Sequence, residues 1–108
     1  MNVIKGVLKE ELANSLRMER RYEATLRQLP KGSLIAKRIK GHVYYYLAVR
    51  QGPKVKLMYK GRLAAQERRA YRQAQRRRRQ YRKLLKQVKQ QIAFLRRALR
   101  GAPVRTVS

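Results

Sequence analysis

The chain has 108 residues, 44% of them apolar, and a formal net charge of +25. That is enough for one thinly cored domain and far more charge than solubility requires. It has no Cys, which excludes disulfides and thiolate metal sites, and no apolar run approaches the roughly 20 residues of a membrane span.

Taken in order, the chain opens with a predicted amphipathic helix over 3–28. Leu8, Leu12, Ser15, Glu19, Tyr22, Leu26 and Leu29 recur at steps of four and three, with Leu16 beside them, which is the spacing of one helical face. Pro30 and Gly32 stop it. Glu10, Glu11, Glu19 and Glu23 all fall here, and from Ala24 to the end Glu67 is the only acid. This asymmetry suggests antiparallel pairing with the basic last helix, carboxylates toward arginines. Lys5, Lys9, Glu10 and Glu11 interrupt any leader-like apolar core, so a cytoplasmic location is expected, nucleoid-associated if the partner is DNA.

Over residues 33–60 the period changes to two. β-branched and aromatic runs over 34–39, 43–49 and 55–59 are separated by Lys40-Gly41-His42 and Gln51-Gly52-Pro53, predicting a three-stranded antiparallel meander. Val43, Tyr45, Leu47 and Val49 alternate with Tyr44, Tyr46 and Ala48. The first set, with Val55, Leu57 and Tyr59 of the third strand, reads as an apolar face for the helices. The second reads as a tyrosine face, with Arg38, Arg50, Lys54 and Lys56 nearby to hold a nucleic acid backbone or stack bases.

A long helix is predicted over 62–100, free of Gly and Pro and ended by Gly101 and Pro103. Tyr81, Leu85, Val88, Ile92, Leu95 and Leu99 form a heptad seam for another helix. Because the first helix is shorter, Ile92 to Leu99 are expected to overhang it and offer a surface for self-association or a helical protein partner. Ahead of the seam lie Arg68, Arg69, Arg72, Arg76, Arg77, Arg78, Arg79, Arg82 and Lys83. Successive residues turn by about 100°, so four consecutive arginines spread charge around the cylinder. Guanidinium forks suit phosphate oxygens and guanine edges, and these residues are the candidate nucleic-acid contacts. The architecture expected is α+β, a single domain over 1–101 with a flexible tail over 102–108.

The stretch LPKGSLIAKRIKGHVYYYLAVRQGPKVKLMYKG resembles a group of small bacterial and phage-borne proteins with an LPKGSL-like step and a KGxxYYYLxxRxGxKVKxxYxG meander between two helices. The matching residues are Leu29 to Ser33, Lys40, Gly41, Tyr44 to Leu47, Arg50, Gly52, Lys54 to Lys56, Tyr59 and Gly61. The resemblance implies the helix, meander, helix order and carries no activity with it. A likeness to basic-zipper proteins is superficial: Arg82, Lys89 and Arg96 at e positions would face Leu84, Gln91 and Ala98 at g, with no acid to meet them.

No enzyme is expected. The sole His, His42, sits in a predicted turn, the acids do not pair, and the glycines are dispersed, so neither acid–base catalysis, nor a metal site, nor a phosphate-cradling loop is supplied. A recombinase-like nucleophile among Tyr44 to Tyr46 would need an Arg and His constellation that 108 residues barely allow. No cofactor, metal or small-molecule substrate is expected. The partner anticipated is nucleic acid, DNA ahead of RNA; the alternative is an adaptor or inhibitor gripping an acidic protein or a ribonucleoprotein.

Overall fold

In a computed structural model that describes residues 3–101, the chain is α+β, in the order α1 (Val3–Gln28), β1 (Ser33–Ile39), β2 (His42–Gln51), β3 (Lys54–Gly61) and α2 (Ala65–Leu99). The tail expected over 102–108 lies outside the described residues. Two compact units form: Gln28–Arg79, holding the sheet and the first part of α2, and a helical unit made of α1 up to Arg27 and the part of α2 from Gln80 onward.

The helical unit is an antiparallel pair. Tyr22 meets Tyr81 edge-on with ring centroids 5.8 Å apart, and Gln91 Nε2 donates to Ser15 Oγ at 3.0 Å. As α1 numbers fall from 22 to 15, their partners in α2 rise. Val88, Ile92 and Leu95 are the buried apolar residues of this seam, and Ser15 is fully buried against it. Tyr81, Leu85 and Leu99 complete the stripe half-buried. The overhang expected for Ile92 to Leu99 is therefore absent: Ile92 and Leu95 are 4% and 5% exposed. The first turns of α2, residues 65–79, belong to the sheet unit.

The sheet order is β1-β2-β3, antiparallel throughout. Both loops are two residues long. Ile39 pairs with His42 across Lys40-Gly41, whose φ angles of 50° and 79° are those of the twisted turn that suits a tight hairpin. Gln51 pairs with Lys54 across Gly52-Pro53.

This spacing fixes which residues share a face, and it corrects the sequence reading. A two-residue loop sets even positions of β2 opposite odd positions of β3, so Tyr46 faces Tyr59, Ala48 faces Leu57 and Arg50 faces Val55. Val55, Leu57 and Tyr59 thus stand on the tyrosine face and are 58%, 58% and 61% exposed. Lys56 and Arg38, opposite Val49 and Val43, stand on the other one. A three-residue link, as the sequence suggested, would have reversed the assignment, since one residue of slip flips every side chain.

The covered face is centred on Tyr45 and Leu47, 8% and 7% exposed. α2 packs there. Arg68 lays its guanidinium over the Tyr45 ring, 5.6 Å from the centroid, and Arg78 Nη2 donates to the Gly32 carbonyl at 2.7 Å. Gly32 has φ of 112°, and a Cβ there would come within 2.7 Å of the Leu47 side chain. Only glycine meets both demands without strain.

Candidate nucleic-acid interface

The basic run is sorted by the helix that carries it. α2 begins later than the sequence suggested, at Ala65, because Gly61 ends β3 and Ala64 acts as the cap: Ala64 N donates to Glu67 Oε1 at 3.2 Å, and Arg68 N donates to the Ala64 carbonyl at 3.0 Å. Glu67 at the third helical position closes back on the cap. The only acid between Gln28 and Arg79 is committed to starting the helix, and its charge favours that end of the macrodipole.

From this start the arginines fall into two classes. Arg78 is 9% exposed and reaches the carbonyl of Gly32, the residue just before β1. Arg68 is half-buried, held by Tyr45 and by a 2.7 Å hydrogen bond from its Nη1 to the Leu63 carbonyl. Both were candidates for phosphate contact, and both are turned to the sheet. The reason is helical phase: positions 71, 74, 75 and 78 share the inward stripe, so one of four consecutive arginines must point inward.

Arg69, Arg72, Arg76 and Arg79 are exposed. They follow at steps of three, four and three, the spacing that puts residues on one side of a helix. Their Cα atoms span about 15 Å of axis at 1.5 Å per residue. Arg69 Nε donates to the Ala65 carbonyl at 3.4 Å. Arg77 is exposed off this ridge, and Arg82 and Lys83 are exposed in the part of α2 that belongs to the hairpin.

The meander candidates divide as well. Tyr44, Tyr46 and Arg50 share the open face, whereas Lys54 and Lys56 pair with Gln51 and Val49 and belong to the opposite side. Two cations that the sequence did not single out do adjoin the open face: Lys37, paired with Tyr44, and Arg62, whose Nη2 contacts His42 Nδ1. Tyr59, also missed, is in contact with both tyrosines, at centroid distances of 6.4 Å to Tyr44 and 5.3 Å to Tyr46. The signal that finds Tyr59 is the loop length. Arg68 and Arg78 of α2 meet the sheet from the Tyr45 side, whereas Tyr44, Tyr46 and Tyr59 stand on the other face.

Among the described residues no three His, Cys, Asp or Glu side chains gather as a metal site would require, and no helix is long and apolar enough to cross a membrane. Compared with protein-family models, curated proteins and solved structures, the chain matches none.

Proposed function

We propose that the protein binds nucleic acid, DNA ahead of RNA, through the exposed arginines of α2, reading charge and shape more than base sequence. The observation that supports this is the ridge of Arg69, Arg72, Arg76 and Arg79 in a segment whose one acid, Glu67, is occupied at the helix start. Guanidinium forks at this spacing match a row of phosphates, and phosphate contacts supply affinity without sequence information. A helix about 10–12 Å across suits the B-form major groove, about 12 Å wide, whereas the narrow major groove of A-form RNA does not admit it.

The test is competition. A labelled DNA duplex is bound to the protein and challenged with unlabelled DNA duplex, RNA duplex and poly-glutamate at equal charge. Displacement by DNA well ahead of the other two supports the reading. Preferred displacement by poly-glutamate moves the ridge to an acidic protein partner, and failure of the duplex to bind at all removes the proposal.

A further inference from the structure

The open face of the sheet is a surface the arginine ridge does not use, and its composition is unusual for a solvated sheet. His42, Tyr44 and Tyr46 stand at alternate positions of β2 on this face, and Tyr59 stands beside Tyr46 on β3. The rings touch in series: His42 to Tyr44 at 6.5 Å, Tyr44 to Tyr59 at 6.4 Å, Tyr59 to Tyr46 at 5.3 Å. Alternate side chains along a strand lie about 6.5–7 Å apart. The four rings therefore form one continuous strip across β2 and β3.

Its charged neighbours are all cations. Lys37 is level with Tyr44 on β1, Arg50 continues the same row of β2, and Arg62 contacts His42. No acid occurs in any of the three strands. An acid-free aromatic strip flanked by cations is complementary to a chain whose own units are flat rings joined by anions.

We infer that the open sheet face binds single-stranded nucleic acid, with unpaired bases stacking on Tyr44, Tyr46 and Tyr59 and phosphates meeting Lys37, Arg50 and Arg62. Exposed Ile35, Leu57 and Val55 on the same face give bases and sugars apolar surface at the edges of the strip. The inference rests on the nucleic-acid reading of the ridge and extends it. The protein then holds duplex on one side of the sheet unit and an unpaired strand on the other, an arrangement suited to a junction or a partly opened duplex.

The experiment uses the full chain, a labelled oligothymidylate and a DNA duplex of equal length, with fluorescence anisotropy as the readout. Tyr59 is the residue to change, because at 61% exposed it contributes little to the core; a thermal melt of each variant confirms the fold. Tyr59→Ala is expected to weaken oligothymidylate binding about tenfold, to leave duplex binding within about twofold, and to be rescued by Tyr59→Phe. Single-strand affinity indifferent to Tyr59→Ala, or an equal loss for both probes, overturns the inference while leaving the ridge intact. So does a dimer in sedimentation that Tyr59→Ala dissolves, which gives the face to a second copy. Absence of wild-type duplex binding is the separate result that sinks the ridge reading.

Discussion

Arg78 and Gly32, far apart in sequence, are joined by a 2.7 Å hydrogen bond from guanidinium to carbonyl. The bond fastens α2 to the residue just before β1, and it takes one arginine out of a run of four that looks uniform in the sequence. Arg78 is thus a structural residue inside an arginine run. Replacing it with Met is expected to cost about 2 kcal/mol, the range for a hydrogen bond from a charged donor, whereas Arg76→Gln leaves stability within about 0.5 kcal/mol. Urea denaturation of the two variants separates them.

Gly32→Ala is expected to destabilise the sheet unit by about 2 kcal/mol. The added methyl enters the space of Leu47, and φ of 112° is unfavourable for any side chain. Thermal unfolding measures the loss, and a companion Leu47→Ala change should relieve the clash in Gly32→Ala while exacting its own cavity cost.

Ser15 sets how closely the two helices of the hairpin approach. It is fully buried and accepts from Gln91, so Ser15→Leu forces bulk into a filled seam and is expected to lose about 1–3 kcal/mol. Ser15→Ala keeps the size and loses only the hydrogen bond, about 0.5–1 kcal/mol, because Gln91 is exposed and regains water. Circular dichroism melts give the order.

Glu67→Ala removes the side chain that returns to Ala64 N. The expected cost is about 0.5–1 kcal/mol at the start of α2. Hydrogen exchange of the Ala64 and Arg68 amides, which bond to Glu67 Oε1 and the Ala64 carbonyl, should quicken, with the exchange of Val88 and Ile92 unchanged.

The element order and the heptad seam were legible in the sequence because each rests on a local period: Tyr81 to Leu99 repeats at three and four, and Tyr44 to Val49 alternates. What was not legible depended on phase between elements. The faces of β3 turned on whether the loop after Gln51 holds two residues or three, and the meander's closure at Gly52-Pro53 decided it. The inward turn of Arg78 depended on where the sheet meets α2. The burial of Ile92 and Leu95 depended on which end of α2 receives α1, which composition does not reveal.

The central claim is that the exposed arginines of α2 meet phosphates one by one, and the salt dependence of duplex binding tests it most directly. Changing Arg69, Arg72, Arg76 and Arg79 together to Gln should reduce the steepness of log affinity against log salt by about 3–4, since each phosphate contact releases close to one counterion. A slope unaltered by the four substitutions, with the fold intact, contradicts the account.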